Sequence, residues 1–466
     1  MPMTDLPPEL TETCKSQMTE TAEDLPEGYR MTELGPLPEE WEVVRLGEVT
    51  QLVRGISWSK KEQSPDGIPV IAIPNIRGGR VSFDIRYKVA KKISEAKRLY
   101  EGDILLVGSS GSHHNVGRTA IVRGLPFRQA TFASFLVKVI PSDEIEHDYI
   151  YHLLGSQMVN FVRCSKRAAD GKHNLQVSAL KEHFIPLPPL PEQRAIAFCL
   201  RTIQQAKEAT EQVIAATRDL KKSLMRHLFT YGPVPLDQTD QVKLKETVIG
   251  VVPEKWEIEK LGNIVNVKGG KRLPKGHNFS EKTTKYPYIR VVDFSNNTIN
   301  ADNIKYLTHE DHIILNRYTI SYKDIYISIA GTVGLVGTIP KQLDGAHLTE
   351  NAAKLIIKDE LSRKYLMYCL GNDPAQQQID QLTTKTSQPK LALSRIKQIL
   401  IPLPPLPEQK QIAHILQTVD RKIEAEENKR AALETLFKSM LHHLMTAKVR
   451  LPADFIARFE QEEMTA

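Results

Sequence analysis

The chain has 466 residues, 41% hydrophobic and 25% charged, a size that calls for two or three domains and a composition that calls for globular ones. Apolar runs such as 104–107 and 325–329 have the length of buried strands, and none approaches a membrane span. The net charge of +6 is unevenly spread, since residues 1–33 carry eight carboxylates against Lys15 and Arg30 and leave the basic excess to the rest.

That acidic start lacks the cationic and apolar regions of a secretory signal and reads as a disordered extension. Four cysteines (Cys14, Cys164, Cys199 and Cys369) lie far apart without a CxxC pair, which argues for a reducing, cytoplasmic setting and against zinc or a disulfide framework.

From residue 34 onward the chain is written twice. IPLPPLPEQ at 185–193 recurs without change at 401–409, 216 residues later. LPEEWEVVRLGEV from Leu37 is similar to VPEKWEIEKLGNI from Val252, which sets Trp41 on Trp256. IPVIAIPNI from Ile68 pairs with YPYIRVVDF from Tyr286, and GDILLV from Gly102 with KDIYIS from Lys323. YIYHLLG from Tyr149 pairs with YLMYCLG from Tyr365. The constant order identifies an internal duplication.

Each copy divides into a globular and a helical part. The globular parts, 34–189 and 244–405, mix β-rich runs with Gly-rich turns and short helical stretches near 149–161 and 363–370, an α+β pattern. The prolines of LPPLPEQ hold an extended approach. Pro191 and Pro407 suit the first helical turn, and Glu192 and Glu408 place negative charge at its positive end. Helices follow over 190–231 and 406–449, with 450–466 as a tail. Their apolar stripes are Ile196, Leu200, Ile203, Val213, Leu220, Leu224, Leu228 and Ile412, Leu416, Val419, Ile423, Leu433, Leu436, Met440, Leu444, the pattern of a coiled-coil seam. About 38 residues at 1.5 Å each make a helix of about 57 Å, and each helix needs a partner, most simply the other. Two similar halves related by a pseudo-two-fold axis would set the helices antiparallel with a globular domain at each end, a spacing of about 17 base pairs. Such a layout suits the reading of two half-sites.

Duplicated domains that each end in a PLPPLPEQ-type segment and a long helix, with PEEW–RLGE and PEKW–KLGN at their entries, resemble the specificity subunits of type I restriction-modification enzymes over nearly the whole chain. The resemblance implies two target-recognition domains reading a bipartite duplex DNA site. It implies that the long helices bind two DNA methyltransferase subunits, with restriction subunits joining that core. It offers no role for the acidic extension.

Recognition loops of such proteins vary, so DNA-facing residues are picked by chemistry: Arg, Lys, Asn, Gln and hydroxyls in exposed loops. In the first domain these are Arg54 and Ser57, Arg77 and Arg80, His113, Asn115 and Arg118, with Lys172 and Asn174 beside Lys166-Arg167. In the second they are Lys268, Lys271, Arg272 and Lys275, Thr332, and Lys385, Ser387 and Gln388.

Catalytic patterns are weak. Pro65-Asp66 with Glu95-Ala96-Lys97 imitates a nuclease triad but has no counterpart in the second copy. Adjacent His113 and His114 should point apart and lack nearby carboxylates. No phosphate loop, (N/D)PP(Y/F) tetrapeptide or Gly-rich cofactor loop is present. A non-catalytic recognition subunit without cofactor or metal is the expectation; a coiled-coil adaptor or a self-contained enzyme are the alternatives.

Overall fold

The computed structural model describes residues 25–460 apart from 170, 359 and 386. The chain forms two compact units: residues 1–209 with 429–466, and 210–428. Each unit therefore holds one globular domain and a segment of both long helices, 190–209 with 429–445 in the first and 210–231 with 406–428 in the second.

In the first unit, Ile104–Val107 is buried at every position, as the apolar run requires. It lies between Leu136–Pro141 and Thr119–Ile121, antiparallel to both, in a six-stranded sheet that ends on Thr50–Arg54 and on the hairpin Ile76–Arg77/Arg80–Val81. The second unit repeats the motif. Ile325–Ser328, also wholly buried, lies between Ala352–Ile357 and Val336–Thr338, with Val265–Gly269 at the edge. The first helical stretch is His147–Gly155 and stops six residues short of the expected end; its counterpart is Arg363–Leu370.

The nine repeated residues build the same junction in both units. Ile185–Leu187 and Ile401–Leu403 pair antiparallel with the strands that follow Trp41 and Trp256. The long helices then begin, Leu190–Tyr231 and Leu406–Met445. Glu192 and Glu408 turn back onto the tryptophans: Trp41 Nε1 donates to Glu192 Oε2 at 2.9 Å, and Trp256 Nε1 donates to Glu408 Oε2 at 3.0 Å. A cation completes each, Arg450 on Glu192 (2.8 and 2.9 Å) and Lys255 on Glu408 (2.6 Å). Gln193 accepts from Glu146 N and donates to Pro188 O; Gln409 accepts from Ser362 N and donates to Pro404 O. Tyr149 and Tyr365 donate to the carbonyls of Pro186 and Pro402. Every one of these buried polar groups is satisfied, the condition for burying them at all.

At 42 and 40 residues the helices run about 63 and 60 Å, slightly longer than their periodicity suggested. Within the second unit the pairs Arg218–Glu427 and Lys221–Asp420 set the two helix segments antiparallel. Within the first, Ile196 and Leu200 share a core with Leu444 and Met445, while Lys207 meets Glu434 at 2.7 Å. The apolar stripe is corrected near the middle of the helices. Ile214 is buried, not Val213, while Val213, Leu220 and Leu436 stay 40–52% exposed. Ion pairs fill the positions where a continuous apolar seam was expected, because the apolar residues thin out there and charges reach across.

The expected boundary at 33/34 also moves. Tyr29–Thr32 forms a hairpin with Gly35–Pro38, and Tyr29 donates to Ala447 O at 2.7 Å, so the chain joins the fold before residue 34. The earlier part of the acidic extension lies outside the described residues. In the tail, Phe455 and Phe459 pack on Phe198 of the first long helix.

Two outcomes follow for stability. Glu192→Ala strands the buried Trp41 N–H and leaves Arg450 with Glu40 alone, and should cost about 2 kcal/mol, lowering the melting temperature by on the order of 5 °C in calorimetry. His152 is buried beside Phe437, and burial pushes its pKa down to about 4. The unfolded chain binds more protons between pH 6.5 and about 4, so stability falls as pH drops through that window, by up to about 3 kcal/mol. Urea titrations across this range should show that slope flattened in His152→Phe.

Candidate nucleic-acid interface

The segments selected for DNA are far apart in sequence, and in the first unit one turn gathers three of them. Gly55 N donates to Leu136 O and Ile56 N to Phe132 O, while Gly108 N and Ser109 N both donate to Phe135 O. Leu175 N then donates to Gly108 O, and Arg54 reaches Leu175 O at 2.8 Å. The result is a small sheet, Ser109–Ser110 against His173–Leu175 against Ser165–Arg167. Arg54, Ser57, His113, Arg118, Lys166, Arg167 and Lys172 are exposed around it. Asn174 lies opposite Ser109, whose Oγ donates to Asn174 Oδ1 at 2.5 Å. Asn115 donates to Ser110 Oγ at 3.3 Å and accepts from Arg118 at 3.2 Å.

His113 and His114 do not point apart. A 3₁₀ turn over His113–Asn115 brings their rings within 3.8 Å, with His173 at 5.7 Å from His113, because the turn breaks the alternation of a strand. Among the described residues no group of three His, Cys, Asp or Glu is placed to hold a metal. Glu95, of the nuclease-like pattern, is engaged by Arg98 and Tyr100.

The second unit builds the same edge from different residues. Gly270 N donates to Ala352 O and Lys271 N to Leu348 O; Ile329 N donates to Asn351 O, and Ala330 bridges to Lys390. Lys268, Lys271, Arg272, Lys275, Thr332, Lys385, Ser387 and Gln388 are all exposed on these segments. Arg272 donates to Glu350 at 2.8 Å; burial pushes that carboxyl up, but the bond outweighs it and holds it below its usual range. Tyr288 donates to Lys271 O, and burial pushes its phenol up to about 12. Beneath this loop, Leu273 and Phe279 pack with Tyr288, Leu307 and Leu315 in a small core of their own.

Gly55 and Gly270 occupy the same place in the two edges. A Cβ on Gly55 would lie 2.2 Å from Phe132 O, and one on Gly270 would lie 2.1 Å from Thr349 O, so only glycine allows the close approach.

Arg77 and Arg80 sit apart from this edge, on the hairpin Ile76–Arg77/Arg80–Val81. Arg77 donates to Pro74 O at 2.7 Å, and Arg80 pairs with Glu208 on the long helix. Arg118 links edge and hairpin by donating to Ile76 O at 2.6 Å. Sequence reasoning missed the gathering turns 132–136 and 348–352, since they share no residue pattern; the glycines 215 residues apart were the signal present.

A family profile described as "Type I restriction modification DNA specificity domain" matches residues 38–216 and again 253–435. The putative type I restriction enzyme MjaX specificity subunit of Methanocaldococcus jannaschii is 27% identical over 91% of this chain and 97% of its own length. The EcoKI specificity subunit of Escherichia coli is 24% identical, covering 81% and 82%. Among solved structures, the S subunit of a type I restriction-modification system from M. genitalium superposes with a TM-score of 0.57 at 17% identity, covering 87% of this chain and 96% of that one. A chain from a study of type I assembly and conformational transition gives 0.53 at 18%, covering 88% and 98%. At such identities the two superpositions speak to the fold.

Gly55→Ala and Gly270→Ala each force a methyl group onto a carbonyl. Each should lower the stability of its own unit by about 2 kcal/mol, read as a lower unfolding midpoint in denaturant.

Proposed function

We propose that this chain, which belongs to the type I restriction-modification DNA-specificity family, is the DNA-sequence-specificity subunit of such a complex and reads a bipartite duplex site. One observation carries the reading: a single chain presents two recognition edges on the same scaffold, each gathered by an equivalent turn, yet furnished with different side chains. Equivalent gathering turns with divergent tips suit two half-sites of different sequence. Lys268, Lys271, Arg272, Lys275, Lys385, Arg54, Arg118, His113 and Lys172 hold phosphates or guanine edges. Ser57, Asn115, Asn174, Thr332, Ser387 and Gln388 supply the smaller donors and acceptors that discriminate bases.

The long helices carry two DNA methyltransferase subunits, and restriction subunits join through them. The named relatives are specificity subunits, which supports a recognition role without chemistry of its own; methyl transfer and cleavage then belong to the partners. No helix among the described residues is long and apolar enough to cross a membrane.

Co-expression with the neighbouring methyltransferase should methylate a split motif, and exchange of residues 34–189 for those of a relative should change one half of it only. Absence of any split motif dependent on this chain would sink the reading. In titrations of the complex, Lys268→Ala and Lys275→Ala should weaken binding about equally on all sequences and each remove about one from the slope of log K against log salt.

A further inference from the structure

The hairpin that carries Arg80 has a twin. Ile76–Arg77/Arg80–Val81 turns through Gly78 and Gly79, with φ of 55° and 79°; Phe294–Ser295/Thr298–Ile299 turns through Asn296 and Asn297, with φ of 45° and 60°. Both are two-residue left-handed turns at corresponding places in the two domains. Both touch an acidic residue in the polar middle of the long helix that leaves their own domain. Arg80 pairs with Glu208, which also accepts from Gln204 at 2.9 Å. Asn296 donates to Glu427 at 3.4 Å, and Glu427 also accepts from Arg218.

Each hairpin is stiffly joined to its domain. Tyr151 OH and Ile121 N donate to Gly79 O at 2.9 and 3.0 Å, and Arg118 holds Ile76 O. In the second unit, Thr338 N donates to Asn297 O, Asn297 donates to Val336 O, and Tyr326 donates to Thr298 O at 2.7 Å. The hairpin therefore moves with the recognition domain, and its tip rests on the helix well away from the main junction. Glu208 lies sixteen residues beyond Glu192, about 24 Å along the helix; Glu427 lies nineteen beyond Glu408, about 28 Å.

We infer that Arg80–Glu208 and Asn296–Glu427 are positioning contacts that set the tilt of each recognition domain on its own helix, and through that tilt the number of base pairs allowed between the half-sites. The main junction acts as a pivot, held by Trp41–Glu192 and Gln193 in one unit and Trp256–Glu408 and Gln409 in the other. A weak contact far from a pivot resists rotation better than a strong one at it. At a radius of about 24 Å, a tilt of about 8° moves the hairpin tip by about 3.4 Å, the rise of one base pair. Arg80 is half-exposed, and an exposed ion pair adds little to stability, so its value lies in angle. This assigns Arg80 to the helix, although its residue type alone placed it among DNA contacts.

The inference rests on the proposed reading of a split site, and the test separates the two. The full chain and its methyltransferase are co-expressed as wild type, Arg80→Ala, Glu208→Ala, Glu208→Gln, Asn296→Ala and the reversed pair Arg80→Glu/Glu208→Arg. The methylome is read for half-site bases and for spacer length, and each chain's melting temperature is measured. The expected result is unchanged half-sites in every variant. Preference for one spacer over those a base pair longer or shorter should fall at least about fivefold in each single variant and return in the reversed pair. Wild-type spacer preference in both Arg80→Ala and Glu208→Ala overturns the inference. So does a change of half-site bases in Arg80→Ala but not in Glu208→Ala, which makes Arg80 a base reader. Loss of all methylation in the single variants without return in the reversed pair overturns it too, whether or not the melting temperature holds. Absence of a split motif in the wild type would instead defeat the reading on which it stands.

Discussion

A tryptophan N–H aimed at a glutamate in the first turn of a helix organises each half of this protein. Trp41 and Glu192, with their repeats Trp256 and Glu408, lie 151 and 152 residues apart in sequence, so the bond closes an entire domain onto the helix that leaves it. Trp41, Trp256 and Glu192 are buried and Glu408 is partly so, and each carboxylate is completed by a cation. The nearby glutamine spends its amide on proline carbonyls and on the backbone entering the first short helix. This is why nine residues recur without change: prolines give the extended approach, and Glu and Gln have geometric partners that no other side chain would satisfy.

The two halves solve the same problem with different fittings. Glu192 takes Arg450 from the C-terminal tail, whereas Glu408 takes Lys255 from the residue before its tryptophan. At position 40, the place corresponding to Lys255, stands Glu40, and it joins the same Arg450. A charge removed at one position is supplied by another segment, as expected when the constraint is a buried carboxylate and not a particular sequence.

The two basic edges follow the same economy of scaffold. A turn from the central sheet collects three loops by backbone hydrogen bonds, which carry no side-chain requirement except glycine at the closest approach. Loop sequences are therefore free to diverge. That freedom suits the proposed reading of two unlike half-sites, because the side chains at the tips can change without disturbing the framework that holds them. The hairpin tips show the complementary case, in which different residues, Arg80 and Asn296, reach the same kind of acid on the helix.

The duplication, the α+β character of each copy and the starts of the long helices were legible in the amino-acid sequence, because they depend on local rules: repeated identities, Pro at helix entry, apolar runs of strand length. The basic residues worth considering were legible too, but not which of them meet. Only the tertiary structure decided that Arg54, Ser109 and Asn174 share an edge while Arg80 leaves it, since contacts between segments over 50 residues apart leave no periodic trace. It decided likewise that Tyr29–Thr32 joins the fold, that the rings of His113 and His114 come together, and that Ile214 and not Val213 is buried. A helix stripe says which residues are apolar; the partner surfaces decide which of them are covered.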